Sequence, residues 1–385
     1  MRLLTVSHFY EGHGGGIERV AAQLCRQFAK NGHHTVWAAS DSDPPPNGVE
    51  ALPLRCANPT EAMTGLPMPI PGPRALRDLS RAIHASDAVI VHDALYLTSV
   101  ASMLLAKIRG KPVVLIQHIA GITFANATMR GLMRLANRLV TRPMLRAADQ
   151  VIFISEKVRR ELLGEPASRR SMLLYNGVDS TVFHPENVSN RDAVRKNHGI
   201  PVDAPIAIFV GRFVEKKGMT VLEALARQRP GLHLVLVGTG PIRPESWGLA
   251  NVHVLGPRTQ HAIAELYGAS DLLLLPSVGE GYPLVIQEAM ACGLPVVCGE
   301  DSACADPGAA RWLRGVDIDL TDPDLSALRC GKAIDSSFDS PVDRDGMAGY
   351  AAQTYSWARM AGAIIESLLR PVDADHCATS RAQPR

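Results

Sequence analysis

The feature that most constrains this chain is an alternation, made twice over, of short apolar β-rich runs with longer segments of helical periodicity. Leu3–Ser7 reads as a strand, Ile17, Val20, Ala21, Leu24 and Phe28 mark one face of a helix stopped at Asn31-Gly32, and Thr35–Ala39 is the next strand. Asp87–Val91, Pro112–Gln117 and Gln150–Ile154 continue the strands, with helical segments near 95–109 and 129–147 between them. A second series begins at Ile206–Val210. It runs through a helix from Gly218, Leu232–Val237, Val252–Leu255, a helix near 260–268, Leu272–Leu275, a helix from Pro283 and Val296–Cys298. Strands alternating with helices require a parallel sheet covered on both faces. With 385 residues the chain can bury two separate cores. The predicted fold is therefore α/β, two doubly wound domains joined through the turn-rich Asn176-Gly-Val-Asp-Ser-Thr-Val-Phe-His-Pro185 and facing a common cleft. In such sheets ligands bind outside the carboxyl ends of the strands, which places a site between the domains.

A formal net charge of +2 argues against a general nucleic-acid binder, whose phosphate-driven affinity needs a clustered cationic excess. Seven scattered cysteines without C-x-x-C pairs fit a reducing cytoplasm and no structural zinc. The apolar run at the start is too short for a signal peptide, and no segment is continuously apolar over the ~20 residues of a membrane span. The Pro-rich Gly65–Pro73 reads as a surface loop and the tail from Pro371 as unstructured.

Three stretches carry chemistry. Gly14, Gly15 and Gly16 open the first helix, where bare backbone N–H groups and the helix dipole favour an anion such as phosphate. A dinucleotide fingerprint is excluded there because Ile17 stands where its last glycine belongs. In Val210-Gly-Arg-Phe-Val-Glu-Lys-Lys-Gly218, Arg212 directly follows a buried strand and Lys217 lies five residues on, a pair suited to a diphosphate. In Glu280-Gly-Tyr-Pro-Leu-Val-Ile-Gln-Glu288, Glu288 falls between Val285, Ala289 and Cys292 on an otherwise apolar helical face. A carboxylate there needs donors, either the hydroxyl pair of a ribose or a buried Arg or Lys. Glu280, in the turn before the helix, is placed to hold sugar hydroxyls, with the amides of Tyr282, Pro283 and Leu284 opening the helix beside it. His118 ends the strand Pro112–Gln117 and so points toward the cleft. Asp-x-Asp pairs occur five times, too often to mark a metal site.

Arg130, Arg134, Arg138, Arg142 and Arg146 recur every four residues. With Lys107, Arg109 and Lys111 they make eight positive charges against no acid between residues 94 and 148. The spacing drifts by about 40° per step on a regular helix and makes a slanting stripe. Leu132, Leu135, Leu139 and Met144 are expected on the opposite, buried face. Such a helix reads as a surface for anionic lipid or a phosphate-bearing acceptor, the alternative being a solvated face paired with acids elsewhere.

Together these stretches, with Pro276-Ser277 and Tyr355-Ser-Trp357, resemble retaining, nucleotide-sugar-dependent glycosyltransferases of family 4. The two glutamates separated by seven residues resemble the family's signature. The resemblance implies the GT-B fold of two Rossmann-like domains. Residues 1–185 would form the acceptor-side domain, 186–355 the donor domain, and 356–370 a helix crossing back to the first domain, with 371–385 a disordered tail. It implies that Arg212 and Lys217 bind the donor diphosphate, that Gly15 and Gly16 approach it from the other domain, and that Glu288 binds the ribose. Glu280 and the following amides would hold the donor sugar, with His118 beside it. No metal or other cofactor would be required, since Arg, Lys and helix N-termini neutralise the leaving phosphate. Retention without a nucleophile implies front-face attack. After Val297 the chain departs from the family pattern with Cys298-Gly-Glu-Asp-Ser-Ala-Cys-Ala-Asp-Pro-Gly308, so no site residue is placed in that loop.

The expected activity is transfer of a hexose from a UDP- or GDP-sugar to a lipid-linked or polysaccharide acceptor, at the cytoplasmic face of the inner membrane. The rivals are a nucleotide-sugar epimerase on the same fold and a non-catalytic glycan-binding subunit.

Overall fold

The computed structural model describes residues 1–59, 68–120, 131, 134–164, 171–340 and 342–369. Its first domain is built on strands β1 (Arg2–Val6), β2 (His34–Ser40), β3 (Glu50–Leu54), β6 (Ala88–His92), β7 (Val113–Gln117), β8 (Gln150–Phe153) and β9 (Ser171–Leu173). They pair in parallel in the order β3-β2-β1-β6-β7-β8-β9, while β4 (Cys56–Ala57) and β5 (Ile70–Pro71) form a separate antiparallel pair. The second domain carries a parallel sheet in the order β12-β11-β10-β13-β14-β15. Its strands are β10 (Ile206–Val210), β11 (His233–Val237), β12 (Val252–Gly256), β13 (Leu272–Leu275), β14 (Val296–Gly299) and β15 (Leu313–Val316). The central strands β6, β7, β10 and β13 are buried along their whole length, as continuous Val/Ile/Leu runs covered by helices on both faces must be. In both sheets the strand order reverses beside the first strand of the domain, the place where ligands bind in sheets of this kind.

Two segments tie the domains together. In the linker, Val178 N–H donates to the Tyr355 carbonyl, and the Gly177 backbone lies against Trp357 so closely that a Cβ would stand 2.2 Å from its nitrogen. The last helix, Trp357–Leu369, then packs Met360, Ala361 and Ile364 among Leu3, Val20, Leu24 and Phe28 of the first domain.

Three expectations change. The Pro-rich stretch is more than a loop: residues 60–67 lie outside the described residues, but Ile70–Pro71 is paired, and Pro73 is the first residue of a helix, Pro73–Ala85, that buries Ala75, Leu79 and Ile83. The helix expected from Pro283 begins one residue later, at Leu284, with Pro283 as its cap. In the arginine-rich segment, Arg130 and Leu132 lie outside the described residues. Asn137–Thr141 winds as a π-helical turn before the helix Arg142–Ala147, which interrupts the regular helical period. Met144 is buried, but Leu135 and Leu139 are 51% and 63% exposed, alongside exposed Arg134, Arg138, Arg142 and Arg146. The expected buried apolar face is therefore absent at those two leucines, and basic and apolar side chains share the surface.

Candidate active site

The second domain contributes a loop leaving β10. Its glycines are dictated by crowding: Gly218 has φ +74°, and a Cβ there would stand 2.2 Å from the Pro276 carbonyl oxygen. The Lys216 carbonyl accepts from Val278 N–H, which stitches this loop to the one after β13. Lys217, in the 3-10 turn Glu215–Lys217, is thereby brought to Glu280, with Nζ 3.0 Å from Oε2, while Lys216 Nζ stands 3.9 Å from Oε1. Burial raises the Glu280 carboxyl, but Lys217 and Lys216 outweigh it and hold the group below its ordinary range. Arg212 is exposed and, among the described residues, has no ion-pair partner. Glu280 Oε1 is buried without a hydrogen-bond donor.

The helix Leu284–Ala291 carries Glu288, 3% exposed, and the alternative weighed from the sequence is realised in part. Arg19 of the first domain donates from Nη2 to Glu288 Oε1 at 2.7 Å, leaving Oε2 buried without a donor. The turn before this helix is fixed from both domains. A Cβ on Gly281 would lie 2.0 Å from the carbonyl oxygen of His118, so only glycine permits that approach. Leu284 packs in the first domain's cluster with Leu3, Val20 and Met360. The Tyr282 hydroxyl lies 2.7 Å from that of Tyr355, which donates to Asp306 Oδ2 at 2.7 Å. Tyr350 also donates to Asp306, and Gly308 N–H caps its Oδ1 at 2.9 Å. Asp306 lies in the loop where the sequence departs from the family pattern and where no site residue was placed. It is a buried post for the tyrosine that begins the donor-side turn.

In the first domain, Gly15 caps the helix Gly16–Lys30 and Gly16 is its first residue. The space in front of Gly16 is open, but the Glu18 carboxylate folds back to within 2.0 Å of where a Gly15 side chain would begin. Glu18 is held by His8 Nε2 at 2.9 Å. The helix N-terminus is thus partly neutralised by its own chain, and an anion has access on the Gly16 side alone. His118 ends β7, and its Nε2 lies 3.1 Å from Nδ1 of His92 at the end of β6. Burial lowers His118 to about 3, with the neighbouring His8 adding to it, and lowers His92 well below the ordinary range, with His118 and His8 adding to it, which favours the neutral form of each ring and a single N–H along the contact between them. Asp93 Oδ1 accepts from Gln117 Nε2 and from His118 N–H.

Lys217 thus meets Glu280, the Gly281 backbone meets that of His118, and Arg19 of the glycine-rich helix meets Glu288, whereas the Tyr282 hydroxyl and the Leu284 side chain are turned into packing and Arg212 stands exposed. Sequence reasoning missed Arg19, His8, Glu18, His92, Asp93 and Asp306. Only the neighbouring His92-Asp93, directly after an apolar strand as His118 is, carried a signal that could have found one of them.

Known proteins share the sequence pattern and the fold. The family model described as "Glycosyltransferase Family 4" matches residues 14–182, and that described as "Glycosyl transferases group 1" matches residues 190–307. The chain is 30% identical over 321 residues to an alpha-maltose-1-phosphate synthase of Mycolicibacterium smegmatis, an alignment covering 77% of this chain and 82% of that one. It is 31% identical over 246 residues to a D-inositol 3-phosphate glycosyltransferase of the same organism, covering 58% of this chain and only about half, 53%, of the relative. Among solved structures, sucrose-phosphate synthase from Thermosynechococcus elongatus superposes with a TM-score of 0.72 at 19% identity, covering 95% of this chain and 98% of that one. Anabaena HepE in complex with UDP-glucose gives 0.69 at 18% identity, covering 96% and 99%. The sheet pair facing one cleft, the matched family models and the alignment over three quarters of the chain lead to one conclusion: the protein belongs to the group 1/family 4 glycosyltransferases and is a hexosyltransferase of GT-B fold.

Proposed function

We propose that the enzyme transfers a hexose, with retention of anomeric configuration, from a UDP- or GDP-sugar to a lipid-linked or polysaccharide acceptor in cell-surface glycan synthesis. The observation that carries this reading is the pair Glu280 and Glu288, each presenting one buried oxygen without a donor, on one stretch of nine residues whose first carboxylate is ion-paired with Lys217. A buried acceptor left unpaired costs about 1–3 kcal/mol, so two of them on one short stretch call for a ligand rich in hydroxyls. Glu288 would take the ribose and Glu280 the transferred sugar, with Arg212 and Lys217 on the diphosphate and Gly16 approaching it from the first domain.

In the reaction, the bond between the anomeric carbon and the phosphate oxygen breaks while the acceptor oxygen bonds to that carbon from the same face. The acceptor's proton passes to the departing phosphate oxygen, and the charge that develops there falls between Arg212 and Lys217. His118, neutral and fixed by His92, orients the transferred ring. These cations and backbone amides neutralise the leaving group without a metal. Thermal unfolding against a panel of UDP- and GDP-sugars tests the reading, because a ligand that binds the folded state alone raises the midpoint. A panel that leaves the midpoint unmoved overturns it.

The acceptor side is assigned to an anionic membrane surface at the cytoplasmic face. Arg134, Arg138, Arg142 and Arg146 stand in water beside exposed Leu135 and Leu139, a combination that gains both from anionic headgroups and from shallow insertion. Arg142 and Arg146 also line a surface recess with Arg160. Lys107 is withdrawn from this field by its ion pair with Asp149. No described helix is long and apolar enough to cross a membrane.

A further inference from the structure

The first domain holds a second set of polar groups that the donor does not use. At the carboxyl ends of the adjacent strands β1, β6 and β7 lie His8, His92-Asp93 and His118, closed over by Glu18 and Tyr96. His8 stacks flat on Tyr96 with ring centres 3.8 Å apart and gives its Nε2 to Glu18, leaving Nδ1 buried without a partner. Asp93 is 1% exposed and, among the described residues, is the one non-glycine held at positive φ, +59°. Few non-glycine residues adopt that conformation, and it persists where the surrounding structure imposes it, commonly at sites of function. Here Gln117 and the His118 amide pin Oδ1, and Oδ2 is left buried without a partner.

We infer that Asp93 Oδ2 and His8 Nδ1 read hydroxyl groups of the acceptor, and that the acceptor's reacting end is an uncharged ring, a sugar or cyclitol, rather than a phosphorylated one. The inference rests on the transferase reading above and sharpens its acceptor class. The chemistry follows from charge. Among the described residues, the ionisable groups gathered at this corner are the carboxyls of Glu18 and Asp93 and the imidazoles of His8, His92 and His118. Arg19, next to Glu18 in sequence, is committed to Glu288. A phosphate set here would find no lysine or arginine among these groups to balance it, whereas a ring hydroxyl can either donate to or accept from a carboxyl oxygen or an imidazole nitrogen. Any anion on the acceptor must then lie away from its reacting end, as it does when a lipid carrier sits at the arginine-rich surface. Asp93 also supports the His118 backbone through the same carboxyl, so the acceptor corner and the donor-side histidine are built on one residue.

The test uses the full-length protein and the nucleotide sugar selected by thermal shift. Neutral rings (methyl α-D-glucopyranoside, methyl α-D-mannopyranoside, myo-inositol) and their monophosphates serve as acceptors, with nucleotide release as the rate. Wild type is expected to glycosylate neutral rings and to leave the phosphates unused. Asp93→Asn and Asp93→Gly both tolerate positive φ. Each is expected to bind UDP or GDP as wild type does while transferring to the neutral ring about 10- to 100-fold more slowly, the cost of leaving a buried polar group of the acceptor unpaired. Preference for the phosphorylated rings, or undiminished transfer by Asp93→Asn, overturns the inference. So does wild type that binds nucleotide but uses neither class, which leaves the transferase reading standing. Wild type that binds neither UDP nor GDP overturns both.

Discussion

Arg19 of the first domain and Glu288 of the second, 269 positions apart in sequence, meet at 2.7 Å across the cleft. The carboxylate proposed for the ribose is therefore held by the opposite domain. Arg19→Ala strands that buried charge and is expected to lower stability by about 1–3 kcal/mol. Ribose hydroxyls would satisfy Glu288 in its place, so the deficit should shrink in saturating nucleotide sugar. Thermal unfolding of both proteins with and without ligand measures this, and a deficit indifferent to ligand contradicts the ribose role.

Gly281 offers a test of the interdomain approach itself. The Cβ of Gly281→Ala would stand 2.0 Å from the His118 carbonyl oxygen, and neither atom can be rotated away by a change of side-chain rotamer. The two strand ends must separate to admit it, and displacing a reacting centre by about 1 Å costs on the order of 100-fold in rate. The expected outcome is a folded protein with donor turnover reduced to that extent and a larger radius of gyration by solution scattering. Wild-type turnover would show that this contact does not set the site.

Asp93 makes a pH prediction whose sign is fixed by its burial. Desolvation raises its carboxyl to about 7, against hydrogen bonds from the backbone of His118 and Ile119 and the charge of His8, which lower it. From the ordinary value of 3.8 up to about 7, the folded state holds a proton that the unfolded chain has released. The stability this group confers is present on the acid side and is lost as pH rises toward 7, by at most about 1.4 kcal/mol per pH unit. Asp93→Asn should remove that slope, so the difference in denaturation free energy between wild type and variant should grow steadily across the interval. A constant difference would place the aspartate's titration elsewhere.

Leu135 and Leu139 separate two kinds of membrane attachment. If the surface acts as proposed, co-sedimentation with vesicles rich in anionic lipid falls as salt rises. Arg134→Glu with Arg138→Glu abolishes binding, and Leu135→Ser with Leu139→Ser leaves a weaker attachment that salt fully reverses. Binding indifferent to salt and to anionic lipid would remove the membrane from the account.

The parallel sheets, the glutamate pair and the cation loop were legible because each is written in a contiguous run: apolar strands of five residues, Glu280 to Glu288, Arg212 to Lys217. Strands β3, β9 and β15 were missed because they lie at or near sheet edges, are short, and mix half-buried residues without a clear alternation. The helix Pro73–Ala85 did carry its spacing, in Ala75, Leu79 and Ile83, but the prolines before it read as loop. The arginine stripe was assigned an apolar back because a regular period was assumed, and the π turn at Asn137–Thr141 breaks that period. The acceptor corner was illegible for a different reason. Residues 8, 18, 93 and 118 become neighbours only when β1, β6 and β7 align and a helix folds back over them, and the orphaned oxygen of Asp93 is a property of that packing.

The central claim is that Arg212 and Lys217 receive a nucleotide sugar's diphosphate beside Glu280. Calorimetric titration of wild type, Arg212→Ala and Lys217→Ala with the selected nucleotide sugar tests it directly. The account predicts saturable binding by wild type and an affinity weakened about 10- to 100-fold in each variant, as expected for a lost charge-assisted contact. Variants that bind as tightly as wild type would contradict it.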